Sequence, residues 1–202
     1  MWNGSSFLYD VVAMASGSHV VFTNGRSGSN FVVDALNQHP ELCNYGEVLG
    51  AYMPPMRLHE RFGYGGSTIE EYLDYILSSR RHFEVAQVYS AVSRLRRGQR
   101  MRRKRWSDLT SIGMKDFAIR FAERGVENYL ASRPAIKVIS LHRENTLRRA
   151  VSLVSLRRTG IVAVHSSNAG SPRQGRQFEV DVEELVGQMK LLEEEKVEQL
   201  AV

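Results

Sequence analysis

A single cysteine, Cys43, stands in a chain of 202 residues. One thiol excludes a disulfide framework and a zinc site built on cysteines, and the expected place of Cys43 is as a small buried hydrophobe. No stretch approaches the roughly 18 uninterrupted apolar residues of a membrane-spanning helix. The opening stretch, Met1 to Ser18, lacks a basic region, and Asp10 interrupts its apolar run. A secretory signal is therefore not expected, and the cytoplasm is the expected compartment. No internal repeat or linker breaks the chain. With 43% hydrophobic and 24% charged residues, disordered, collagen-like and many-span membrane classes are excluded.

What is present is one globular domain's worth of sequence over residues 1–202, long enough to bury about 70% of its unfolded surface. The net charge is +5, from 27 Lys and Arg against 22 Asp and Glu. That excess is local. Arg94 to Arg105 holds eight basic residues and no acid, and without them the balance would be −3. Such a run reads first as a solvated face. Its functional reading is a docking surface for an anionic substrate, a membrane or a nucleic acid.

Hydrophobic patterning predicts an α/β domain with a mainly parallel sheet. His19–Thr23 reads as a buried strand and Ser29 onward as a helix stopped by His39-Pro40. A short extended piece is expected over Glu41–Val48, a loop over Leu49–Ser67 and an amphipathic helix over Thr68–Leu77. Residues 80–108 are expected to be partly helical, then irregular. Strands are expected at Thr110–Lys115 and Ala135–Leu141, with a helix at Glu123–Ala131 between them. Thr146–Arg158 is expected to be a helix with Leu147, Ala150, Val151 and Val154 inward, ended by Thr159-Gly160. Residues 161–177 read as polar loop and Val182–Leu200 as a last amphipathic helix.

Two segments carry chemistry. The first is strand, then Thr23-Asn24-Gly25-Arg26-Ser27-Gly28-Ser29-Asn30, then helix. Two glycines let the backbone curl, the helix start offers unpaired amides, and Arg26, Ser27 and Ser29 add donors; together these make an anion site. It is neither GxxxxGK[ST] nor GxGxxG. The second is Leu141-His142-Arg143-Glu144-Asn145 at the end of another strand, where open α/β sheets bind ligands. Ser152 follows nine residues after Arg143, on the next helix. Both segments together suggest a ligand with two separated anionic groups.

These residues resemble the sulfotransferases that use 3′-phosphoadenosine 5′-phosphosulfate (PAPS). TNGRSGSNFVVDALNQHPELCNYGEVL looks like their 5′-phosphosulfate loop, and KVISLHRENTLRRAVSLVSLRRTG like their 3′-phosphate segment. The likeness is nearest to bacterial carbohydrate sulfotransferases of the trehalose 2-sulfotransferase and nodulation-factor type. It runs through residues 18–160 in order and is weak over 50–110. It implies a P-loop-like nucleotide-binding fold and sulfuryl transfer from PAPS to a hydroxyl of a carbohydrate or glycolipid, without a metal. Gly25, Arg26, Ser27, Gly28, Ser29 and Asn30 would bind the 5′-phosphosulfate, and Arg26 would also neutralise charge on the leaving oxygen. Arg143 and Ser152 map onto the 3′-phosphate ligands, and Glu47, in Tyr45-Gly46-Glu47, onto the general base. Lys115 resembles a position facing the site.

Histidine is the rival base. His39 is expected to be structural, and His59, His82, His142 and His165 are scattered without ligand spacing; contact of His142, beside Arg143, with the cofactor region is the minor reading. The basic run lies in the segment the family varies, residues 80–108, with room for an anionic acceptor. The family continues past its last helix with a further strand, so a short or truncated member is expected, and no Arg-Lys-Gly loop is found. Two other functions stay open: a nucleotide-binding module of the same fold without turnover, and a nucleic-acid-binding protein acting through Arg94–Arg105. A P-loop kinase is disfavoured by the missing Gly-Lys.

Overall fold

The computed structural model describes residues 17–96, 98, 103–160 and 179–201. His165, the expected loop 161–177, most of the opening stretch and part of the basic run lie outside the described residues.

The most buried segment is β1 (Ser18–Thr23), in which every residue after Ser18 is buried. It is flanked on both sides, so it carries Val20, Val21 and Phe22 without alternation, as central parallel strands do. One neighbour is β3 (Ser111–Phe117), the other β4 (Ile136–Leu141), and β2 (Leu42–Asn44) adds to β3. All pairings are parallel and the order is β2-β3-β1-β4. Thr23 stands opposite Phe117 and Leu141, so the loop after β1 and the ends of β3 and β4 meet at one sheet edge. The closeness of β1 and β3 requires Gly113: a Cβ there would lie 2.3 Å from the His19 ring.

Helices flank this sheet. They are α1 (Ser29–Gln38), α2 (Pro54–Phe62), α3 (Ile69–Ser78), α4 (Arg80–Arg96), α5 (Ala118–Glu123), α6 (Thr146–Thr159) and α7 (Val182–Ala201). The main core joins Val20, Phe22 and Met114 of the sheet to Met56 of α2 and Tyr72, Leu73, Ile76 and Leu77 of α3. A second cluster holds Cys43, Phe83, Trp106, Leu109 and Ile112, the apolar setting expected for the lone thiol. No helix among the described residues is long and apolar enough to cross a membrane.

Four boundaries differ from expectation. The region taken for loop contains α2, because Pro54 and Pro55 occupy its first turn, where proline suits a helix, and Gly63 ends it at φ 66°. The extended piece 41–48 pairs only over Leu42–Asn44, before Gly46 turns at φ 74°. The helix expected at Glu123–Ala131 is instead α5, which stops at Arg124-Gly125. Successive turns over 126–132 then bury Val126, Tyr129 and Leu130 at the i, i+3, i+4 spacing that also marks a helix. In α6, Ala150 and Val154 are buried, but Leu147 and Val151 are 48% and 40% exposed. Neighbouring β4 is the sheet's edge strand, with Val138 and Ile139 exposed as well.

Two histidines are locked into the interior. His19 bonds Ser111 Oγ through Nδ1 at 2.8 Å and Asn44 Nδ2 through Nε2 at 3.1 Å. His82 meets the Tyr64 hydroxyl at 3.1 Å. Burial pushes each imidazole down to about 4, against about 6.5 in an unfolded chain. Between those values the unfolded chain binds more protons, so the stability the two groups contribute is complete above about pH 6.5 and is lost as pH falls toward 4. Asp116, raised by burial, acts in the opposite sense over the carboxylate range. Urea titrations should therefore give a flat midpoint above about pH 7 and a falling one below about pH 6, with up to two protons taken up on unfolding. A midpoint constant to about pH 4.5 would contradict this.

Candidate functional site

The loop after β1 turns at two left-handed positions, Arg26 at φ 66° and Gly28 at φ 90°, with Ser27 between them. Arg26 is the only non-glycine with positive φ among the described residues. Gly28 caps α1, and its carbonyl accepts from the amides of Phe31 and Val32. The amides of Gly28, Ser29 and Asn30 donate to no backbone carbonyl among the described residues. Clustered donors at a helix start are the chemistry that phosphate or sulfate oxygens match. The Thr23 hydroxyl anchors the loop: it donates to the Leu141 carbonyl at 2.8 Å and meets Ser27 Oγ at 2.6 Å. The donor set therefore fits the 5′-phosphosulfate group expected there.

The second segment is brought directly onto the first. Arg26 Nε donates to Ser152 Oγ at 2.8 Å, and Arg143 Nη1 reaches the Arg26 carbonyl at 3.5 Å. Arg26, Arg143 and Ser152 thereby form one contiguous cluster. Arg149, unassigned in the sequence, braces it. This guanidinium is 5% exposed and donates to the Gly25 carbonyl at 2.8 Å, the Leu192 carbonyl at 3.3 Å and Glu195 Oε2 at 2.5 Å. Asn24 Nδ2 donates to the Glu195 carbonyl at 3.0 Å, and Thr146 Oγ1 to Glu193 Oε1 at 2.5 Å. The last helix is thereby pinned beside the loop. His142 lines a narrow pocket with Ser27, Arg143 and Lys196.

Glu47 lies beyond β2. Its Oε1 accepts from Lys115 Nζ at 2.5 Å and its Oε2 from the Tyr52 hydroxyl at 2.6 Å. Burial works to raise this carboxyl. The two hydrogen bonds, with the charges of Lys115 and Arg120, outweigh it and hold Glu47 below its ordinary value. Tyr52 is pushed up to about 12, chiefly by its bond to Glu47, so it remains a donor. Asp116 anchors the whole turn: its Oδ2 accepts from the amides of Val48 at 2.9 Å and Leu49 at 2.7 Å. Burial raises its pKa against those bonds.

The Lys115 ammonium sits 4.5 Å from the Phe117 ring centre. Phe117 in turn lines a cleft of ≈ 390 Å³ with Phe22, Gly25, Ile119, Phe121 and Leu153. That volume is in the range of small-molecule pockets, about 300–1,000 Å³. The cleft thus runs from the loop at Asn24 and Gly25 to Phe117, whose ring the Lys115 ammonium touches. His39 is structural: its Nδ1 accepts from the Glu41 amide, and its carbonyl accepts from Lys104. His59 bonds the Tyr64 carbonyl and packs on Tyr72. No group of three or more His, Cys, Asp or Glu residues placed to hold a metal occurs among the described residues.

Arg149, Asp116 and Tyr52 are the site residues that sequence reasoning missed. Arg149 sits inside the quoted motif, but Asp116 and Tyr52 have no local signature.

The balance at Glu47 is testable. Lys115→Met removes the strongest donor and leaves the burial, so the Glu47 carboxyl should rise above its value in the parent protein. Carboxyl-carbon NMR titration reads it directly, and an unmoved titration would show that Lys115 does not hold Glu47 in solution.

No protein-family model matches the chain, and no curated protein matches it significantly.

Proposed function

We propose that this protein transfers a sulfuryl group from PAPS to a hydroxyl of a carbohydrate or glycolipid, on a P-loop-like sulfotransferase fold. The observation that carries the reading is the 2.8 Å bond from Arg26 to Ser152. Two segments 126 residues apart, each picked out separately as anion-binding, supply a single cluster at the strand ends.

The donor supplies an activated sulfur joined through oxygen to a phosphate. The amides of Gly28 to Asn30 hold its phosphosulfate oxygens, and Arg143 and Ser152 take the 3′-phosphate. Arg26 is assigned to offset the negative charge that develops on the bridging oxygen as the S–O bond breaks, exchanging its bond to Ser152 for that oxygen. Glu47, ionised at neutral pH, receives the acceptor's hydroxyl proton as the new O–S bond forms. Its lowered pKa makes it a weak base, so the proton moves late, when the hydroxyl has become acidic. Lys115 and Tyr52 fix the carboxylate's orientation. The cleft beside Phe117 offers the acceptor a place, with Lys115 linking that ring to Glu47.

Calorimetry with 3′-phosphoadenosine 5′-phosphate tests the site. Micromolar binding is expected, weakened about tenfold or more by Arg26→Ala and by Arg143→Ala. With PAPS and a mixed carbohydrate acceptor set, Glu47→Gln should cost about 100-fold or more in turnover while nucleotide affinity is kept. Tight binding with no turnover would favour the module reading, which the clamping of Glu47 by two donors also supports. No binding by the folded protein would sink both.

A further inference from the structure

The face that α4 turns to solvent is the wrong way round for a soluble helix. Phe83 is buried on its inner side, and His82 is buried in its first turn. Outward, Val85, Val88, Tyr89, Val92 and Leu95 are 58%, 65%, 64%, 45% and 68% exposed. Their spacing of 3, 1, 3 and 3 residues places all five along one stripe three turns long. Scattered exposed apolar residues need no explanation, but a continuous stripe does.

Charge identifies what covers it. Arg80 and Arg81 stand at one end of α4, Arg94 and Arg96 at the other, and Arg103 and Arg105 follow as exposed residues. Residues 80–105 hold ten Lys and Arg against one acid, Glu84, which pairs with Arg80 at 3.8 Å. A second copy of α4 would fit the stripe poorly. Both ends are cationic, so parallel and antiparallel pairing alike set arginine against arginine. A nucleic acid would meet the cations and leave the stripe in water. An anionic bilayer satisfies both features at once. Apolar side chains enter the boundary of the acyl region, while arginines stay at the phosphate level, their stems lying along the surface.

We infer that α4 docks this protein in the interface of an anionic phospholipid membrane, lying along the surface without crossing it. This stands independently of the sulfuryl-transfer reading. If both hold, the membrane brings the chain to acceptors that are lipid-linked.

The test is co-sedimentation of the full chain with vesicles of equimolar phosphatidylcholine and phosphatidylglycerol, with pure phosphatidylcholine as control. Binding to the anionic vesicles is expected, falling as salt is raised. The double substitution Val88→Asp with Tyr89→Asp should lower partitioning about tenfold or more, and Arg94→Glu with Arg96→Glu should do the same. Val88, Tyr89 and Arg96 are exposed and Arg94 is half-buried in the last turn of α4, and circular dichroism checks that each variant keeps its fold. Should a variant unfold, Tyr89→Trp in the otherwise unaltered chain gives a second reading: the emission it adds over the parent protein shifts to the blue on anionic vesicles only. The inference is overturned by absence of vesicle binding, by binding that the Asp pair leaves unchanged, or by an added indole emission that does not shift. Duplex DNA that binds as tightly, insensitive to the Asp pair, would assign the cations to nucleic acid instead.

Discussion

One buried guanidinium holds the candidate site together. Arg149 lies almost wholly out of water, where an unpaired charge would be very costly, so its donors must be met. They are met by three different parts of the chain: the Gly25 carbonyl in the loop after β1, the Leu192 carbonyl of α7 and the carboxylate of Glu195. The loop's shape, the seat of α6 and the position of the last helix are thus solved by the same ion. Because Glu195 neutralises this cation, its work at the loop is to hold shape rather than to add charge.

The central sheet was legible because its physics is local. A run such as His19–Thr23 or Ile136–Leu141 is apolar, short and followed by a turn, and each is a strand. Helices α1, α3, α6 and α7 announce themselves by period and by their stops; α3 also carries a capping box between Thr68 and Glu71. What misled was composition. Paired prolines at 54 and 55 suggested loop and instead started α2. The turns over 126–132 bury residues at helical spacing without a helix. The outward Leu147 and Val151 could not be told from inward ones, since periodicity finds a stripe and says nothing of which neighbour covers it.

The site divides along the same line. Glycines and an arginine between a strand and a helix can be read from the order of residues, and so can Arg143 and Ser152. The contact between Arg26 and Ser152 depends on how α6 returns across the sheet edge, which no local pattern records. Glu47 was singled out, but its state depends on Lys115 from β3, 68 residues away. Glu47 is half-buried, which by itself would raise its pKa, yet its partners drive it down. Asp116, which fixes the turn that carries Glu47, is one acid among 22 in the sequence.

Arg26 sits where the backbone prefers glycine, at a positive φ of 66°. For a residue with a Cβ that conformation costs about 1 kcal/mol or more. Glycine would relieve the cost, and asparagine would lessen it. Were this position selected for the shape of the turn alone, mutational drift would move it toward those two residues with a gain in stability. Arginine at this position therefore carries a backbone cost that the shape of the turn does not require. The loop is therefore a place where the most stable sequence and the working sequence differ, and design for thermostability would erase its chemistry first.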